Sequence, residues 1–116
     1  MFTIYQQIDS HNTVITLTGL LDQQATHGLE AFILAAKGLK CQHLILDFSD
    51  LTSIGSFALG QLTRWHHQMK SQNLHFSMVN PSPKLRETLN QAHLSDLVPI
   101  FASQEEAIKH HEASSW

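Results

Sequence analysis

The sequence predicts one α/β domain built on a mixed, largely parallel sheet of about 4–5 strands packed with about 4 helices, in the order β-β-α-β-α-β-α-β-α. Three observations carry this. Val14, Ile15 and Leu17 are interleaved with threonines over Thr13–Thr18, whereas after Gly19 the apolar residues recur at spacings of three and four, so the hydrophobic period changes from that of a strand to that of a helix. The run His43–Phe48, HLILDF, holds three consecutive aliphatics and fits a strand covered on both faces. Strand-like and helix-like stretches then alternate toward the C-terminus, which implies right-handed crossovers with helices packed on the sheet.

Composition agrees with a single core. The chain has 116 residues, of which 42% are hydrophobic and 15% charged. Soluble domains average roughly 25% charged, so apolar material is ample and global disorder is excluded. Seven Lys plus Arg against ten Asp plus Glu give a net charge of −3, with no basic stripe of the kind a nucleic-acid binder needs. The start MFTIYQQIDS lacks a basic segment followed by an apolar one, and no run approaches the roughly 18 apolar residues of a membrane span. A soluble cytoplasmic domain is therefore expected. The single cysteine, Cys41, excludes an internal disulfide and multi-thiolate metal sites, and is expected to be a small, partly buried residue.

Taken in order, Phe2–Ile8 and Thr13–Thr18 read as strands joined by a turn at Asp9–Asn12. A helix runs from Asp22 to Gly38 and buries Ala25, Leu29, Phe32, Ile33 and Ala36, with Gly38 accepting the left-handed conformation that ends it. His43–Phe48 is the expected central strand, followed by a loop over Ser49–Gly55. A second helix, Ser56–Gln72, buries Ala58, Leu62, Trp65 and Met69. Leu74–Val79 is a further strand. Asn80-Pro81-Ser82-Pro83 then breaks regular structure, and Ser82 as N-cap with Pro83 in the first turn opens a helix to Ala92 that buries Leu85 and Leu89. Leu97–Phe101 is a last short strand, and Ser103 with Glu106 forms a capping box ahead of the terminal helix. Residues 1–112 make up the expected domain and 113–116 a polar tail that frays.

Nine histidines make metal binding the first chemistry to test. Helical ligands need i, i+3 or i, i+4 spacing, yet His66-His67 and His110-His111 are adjacent and diverge by about 100°. The couples Glu106 with His110 and His27 with Glu30 are correctly spaced but arise easily by chance. The histidines are expected to be solvated surface residues, with no metal site and no cofactor. Ile54-Gly55-Ser56-Phe57-Ala58 does not fit the G-x-S-x-G nucleophile elbow, and no phosphate-cradling glycine loop occurs, so no enzyme is expected. Ser56 remains, at the predicted start of a helix. It reads either as a helix N-cap or as an exposed hydroxyl open to phosphorylation, where the helix dipole tolerates an anion.

Three stretches together resemble one family. LTGLLD, Leu17–Asp22, is similar to an L-x-G-x-L-D segment between strand and helix. LILDFSDLTSIGSFALGQL, Leu44–Leu62, resembles a central strand, loop and helix start. MVNPSPKLRETLNQAHLSDLVPIFASQEEAI, Met78–Ile108, follows N-P-x-V/L-x-x-x-L-x-x-x-G-L-x-x-x-x-x-I/V-F-x-x-x-x-E-A. On these the chain is identified as a member of the STAS domain family, and within it resembles the stand-alone bacterial anti-sigma factor antagonists (anti-anti-sigma factors).

The resemblance implies a non-catalytic partner switch with Ser56 as phosphoacceptor. A serine kinase of the histidine-kinase-like ATPase fold would phosphorylate it, and a metal-dependent Ser/Thr phosphatase would reverse this. The unmodified form would bind an anti-sigma factor, commonly that same kinase, through Asp22, Gly55, Ser56 and Phe57. The output could be a sigma factor, biofilm formation or another signalling branch. Asp22 matches a family acidic residue, as N-cap of its helix or as a partner contact. The family usually reads D-S-S-G-L/V-G where this chain has Gly55, Ser56, Phe57, Ala58, Leu59 and Gly60. Gly55 thus replaces a carboxylate beside the phosphoacceptor, and Phe57 adds an apolar side chain expected to point into the core. That departure motivates an alternative, a STAS subunit of a larger assembly, such as a lipid-transport complex or a stress-signalling scaffold, without a phosphoswitch. His93, where the family often has glycine, is expected to be exposed near a turn.

Overall fold

A computed structural model describes residues 2–7, 12–38 and 42–114, and the side chains within 12–35 and 42–110. Five strands form one sheet: β1 (Phe2–Gln7), β2 (Asn12–Leu21), β3 (His43–Ile54), β4 (His75–Val79) and β5 (Ile100–Phe101), in spatial order β1-β2-β3-β4-β5. Strand β1 pairs with β2 antiparallel, and all other pairs are parallel. Four α-helices punctuate the strands, α1 (Gln23–Gly38), α2 (Ser56–Ser71), α3 (Pro83–Gln91) and α4 (Gln104–Ser114), with a 3₁₀ turn at Leu94–Asp96. The expected mixed, largely parallel architecture is the observed one. Of the turn expected at Asp9–Asn12, Asn12 belongs to β2, while residues 9–11, Cys41 and the last two residues of the expected polar tail lie outside the described residues.

The strand order follows the sequence order, so every right-handed crossover steps the same way and lays its helix on the same face. That face carries the larger core: Ile15, Leu17, Leu44, Leu46, Phe48, Phe76 and Met78 from the strands pack against Leu29 and Ile33 of α1, the predicted α2 stripe Ala58, Leu62, Trp65 and Met69, and Leu85 and Leu89 of α3. Ala25 and Phe32 of the α1 stripe are partly buried against it. Helix α4 covers the other face, where Val14, Ile45 and Val79 meet Ala107. Strand β3 is central and buried on both faces from His43 to Phe48.

The expected loop over Ser49–Gly55 is a strand up to Ile54, leaving Gly55 as the sole residue between β3 and α2. The reason is tertiary. Strand β2 is ten residues long, with register shifts at Thr16/Thr18 and Gly19/Leu20, and it pairs with Asp50, Leu51, Ser53 and Ile54. The left-handed Gly19, φ 77°, sits at the second shift, a conformation only glycine adopts without strain. The C-terminal correction is the reverse: of Leu97–Phe101 only Ile100 and Phe101 are strand, because Leu94 and Val98 are buried by the preceding 3₁₀ turn while Leu97 is exposed.

Caps explain the helix limits. The Ser82 hydroxyl accepts from the Leu85 N–H at 3.2 Å. Ser103 accepts from the Glu106 N–H at 3.2 Å as predicted, while the Glu106 carboxylate reaches one residue further back than the N-cap and accepts from the Ala102 N–H at 3.2 Å. The buried Asp47 carboxylate is satisfied from both sides, by the Ser49 N–H at 2.9 Å and by the Gln104 amide of α4 at 2.6 Å. His93 follows α3 in a left-handed conformation, φ 61°, and is exposed as expected. A Cβ there is strained, so His93→Gly is expected to raise stability by about 0.5–1 kcal/mol in a urea titration.

Among the described residues, the expectation that the histidines are solvated fails at His43. His43, at the start of β3, is 1% exposed. Its Nδ1 lies 3.0 Å from Asn12 Oδ1 and its Nε2 2.7 Å from Ser77 Oγ, with Asn12 and Ser77 also buried. An amide oxygen only accepts, so Nδ1–H donates to Asn12 and, in the neutral ring, Nε2 accepts from the Ser77 hydroxyl. Three adjacent strands are thereby joined side chain to side chain.

Candidate functional site

The ends of β2 and β3 bring together the residues singled out by sequence. Leu21 pairs with Ile54, and the Gly55 N–H donates to Leu21 O at 2.9 Å, so the starts of α1 and α2 lie side by side. A Cβ on Gly55 would sit 3.8 Å from Asp22 Cα. Asp22, Gly55, Ser56 and Phe57 therefore form one continuous surface at this end of the sheet.

Asp22 caps α1: its carboxylate accepts from the Ala25 N–H at 2.8 Å, and its carbonyl accepts from the Thr26 N–H at 2.9 Å and the Thr26 hydroxyl at 2.6 Å. The side chain remains exposed, so the cap leaves a carboxylate available at the surface. Ser56 is not the N-cap of α2. Gly55 occupies that place, with no side-chain cap hydrogen bond, and Ser56 is the first helical residue, exposed. The leading amides of α2 thus receive no side-chain acceptor, a setting that favours an anion at or beside Ser56.

Phe57 points outward, contrary to the expected core position. It is 41% exposed, and its ring lies 5.3 Å from that of His27, tilted by 52°. The α2 stripe facing the sheet begins at Ala58, which turns Phe57 by about 100° away from the core. Leu20, at the same end of β2, is 48% exposed. Helix periodicity also places Ser56, Gly60 and Arg64 in one row, and with Phe57 and Gln61 they line a depression of about 250 Å³. Sequence reading missed Arg64, although its i, i+8 spacing from Ser56 was legible. The Cα–Cβ bonds of an α-helix tilt toward its N-terminus, the end of α2 that Ser56 occupies, and Arg64 lines the same depression.

The Glu106 carboxylate is engaged by the Ala102 N–H and the His110 ring lies 5.1 Å from Phe101, while His27 meets Phe57. Among the described residues no three His, Cys, Asp or Glu side chains converge to hold a metal ion. No helix among them is long and apolar enough to cross a membrane.

A family model for the STAS domain matches residues 3–107. The chain belongs to the STAS domain family. Solved structures agree on the STAS fold across nearly the whole chain. The anti-sigma factor antagonist SpoIIAA in its unphosphorylated form is 23% identical, covers 97% of both chains and superposes with a TM-score of 0.82. The phosphorylated form of the Bacillus cell fate determinant SpoIIAA is 24% identical over 94% of this chain and 98% of that one, with a TM-score of 0.72. An anti-sigma factor antagonist from Mycobacterium paratuberculosis is 21% identical over 94% and 92%, with a TM-score of 0.82. No curated protein sequence matches the chain significantly.

Within this STAS domain Gly55 is not demanded by the backbone. Its φ of −77° and ψ of 162° suit any residue, and a Cβ would meet Leu21 O at 3.4 Å, an ordinary contact. Gly55→Asp is therefore expected to fold, and to gain roughly a few tenths of a kcal/mol from a carboxylate N-cap on α2, since glycine is itself a tolerated N-cap. Thermal melts of the two proteins would show it.

Proposed function

We propose that this STAS domain is an anti-sigma factor antagonist that works as a partner-switching regulator, controlled by reversible phosphorylation of Ser56. The observation that carries the reading is the exposed Ser56 hydroxyl on the first residue of α2, ahead of amides that no side chain caps and beside the exposed Phe57 and Asp22. The fold shared with SpoIIAA in both of its phosphorylation states supports it.

The unmodified surface binds an anti-sigma factor or a serine kinase of the histidine-kinase-like ATPase fold in the cytoplasm. Phe57 is the apolar anchor of that contact, and Asp22 with Ser56 its polar rim. Phosphorylation adds about −1.5 to −2 charges at Ser56. The uncapped helix start accommodates that charge, so the domain stays folded, while a partner packed over Ser56 must desolvate it and is released. A metal-dependent Ser/Thr phosphatase acting on phosphorylated Ser56 restores binding.

Incubation with the kinase encoded nearest to this chain's gene and ATP, followed by mass-spectrometric mapping, is expected to place one phosphate on Ser56. Phosphate elsewhere, or none together with partner binding indifferent to Ser56→Asp, would remove the switch. Gly55 favours the second reading, a STAS subunit of a larger assembly, because a domain kept for binding alone needs no carboxylate beside the serine. Co-purification with a transport ATPase and permease, or with a scaffold particle, would then replace the kinase.

A further inference from the structure

The starting ends of the strands, remote from Ser56, hold a cavity of about 280 Å³. Ser56 and Lys70 are separated by fourteen residues of α2, or about 21 Å at 1.5 Å per residue, so this is a separate place on the molecule. His66 and Lys70, one turn apart on α2, form one wall. Leu74, Phe76 and Pro99 provide the apolar floor, and Asn73 and His75 complete the lining.

Two features of this cavity point to the same ligand. The first is charge. The lining side chains include an ammonium and two imidazoles and no carboxylate, although the chain as a whole carries −3. Burial, followed by the neighbouring His67 and Lys70, holds His66 below its ordinary value, so His66 serves there as a neutral, hydrogen-bonding ring beside the Lys70 ammonium.

The second is backbone. Met78 and Asn80 donate their N–H groups to Pro99 O and Phe101 O, so alternate residues of β4 face β5. Phe76 lies on that side as well, one pair lower in the ladder. The residue that would donate to Phe76 O there is Pro99, which has no N–H, and β5 stops pairing. Strand β4 therefore runs past β5 at Phe76, which with Pro99 lines the cavity.

We propose that this cavity binds a small organic anion, a carboxylate on a flat apolar body. The carboxylate lies against Lys70 and His66, and the body covers Leu74, Phe76 and Pro99. The volume is at the small end of ligand pockets and suits a molecule of about ten non-hydrogen atoms.

Benzoate is the probe, with benzamide as its uncharged counterpart and inorganic phosphate as an anion without an apolar body. Titrated into the full chain and followed by amide and imidazole NMR shifts, benzoate is expected to saturate with a Kd on the order of 1 mM, the strength such a small ligand reaches. Shifts should centre on His66, Lys70 and Asn73–Phe76. Benzamide, phosphate and the Lys70→Gln variant should each bind at least about tenfold more weakly. Ser56→Asp should bind benzoate as the wild type does, so the outcome is independent of the proposed switch. Equal responses to benzoate and benzamide, unsaturable shifts spread over the surface, or an unchanged Kd in Lys70→Gln would each overturn the proposal.

Discussion

The His43→Ala variant is expected to lose about 3–5 kcal/mol of folding free energy, a large share of the roughly 5–15 kcal/mol that holds a domain of this size together. Two costs add. Removing the ring leaves the Asn12 amide oxygen and the Ser77 hydroxyl without their partner in a region where all three residues are at most 4% exposed. It also opens a cavity in the middle of the sheet, at the first residue of the central strand. The midpoint of thermal unfolding should fall by roughly 10–20 °C. Ser77→Ala removes a single hydrogen bond and should cost about 1–2 kcal/mol. A double-mutant cycle of the two in urea separates the pair from the cavity. Full additivity would show that the Ser77–His43 bond contributes nothing of its own. A loss under about 1 kcal/mol in His43→Ala would mean that water replaces the ring.

The largest functional effect is expected from Ser56→Asp, which should weaken partner binding at least about 100-fold, close to 3 kcal/mol, with thermal stability unchanged or slightly raised. The separation follows from position. Ser56 is exposed on the first residue of a helix without a side-chain cap, where a carboxylate meets the positive end of the dipole and disturbs no core residue. Against a partner the same charge must be desolvated beside Phe57. Ser56→Ala removes only a hydroxyl and should bind within about threefold of the wild type. Titration calorimetry with the purified kinase or anti-sigma factor reads both. Equal affinity of wild type and Ser56→Asp would place the interface elsewhere on the domain.

Much of this molecule is legible along the chain. The α2 stripe Ala58, Leu62, Trp65 and Met69, the Ser82 and Ser103 caps and the central position of His43–Phe48 all follow from spacing and local hydrogen bonding. The family resemblance singled out Asp22, Gly55, Ser56 and Phe57, and strand pairing sets these four positions at one end of the sheet.

What failed did so where a neighbour in space, and not in sequence, makes the decision. Ser49–Ile54 reads as a loop because its polar residues resemble turn formers, yet the bulged end of β2 supplies hydrogen-bond partners that keep it a strand. That extension moves the junction to Gly55 and takes the N-cap from Ser56. Phe57 is the exception: it reads as core by its side chain alone, although the α2 stripe legible in the sequence, beginning at Ala58, already turns it about 100° away from the core. His43 reads as one solvated histidine among nine, and becomes structural only because parallel pairing sets it between Asn12 and Ser77.

The sequence by itself therefore determined the order of strands and helices, the one-sided apolar stripes, the family and the serine at the head of α2, since each is written in residues within a few turns of one another. Only the tertiary structure decided which residue caps that head, which histidine is buried and where the sheet stops pairing. Those depend on strand register and on which residue lies opposite, and register is set by contacts between segments about thirty residues apart.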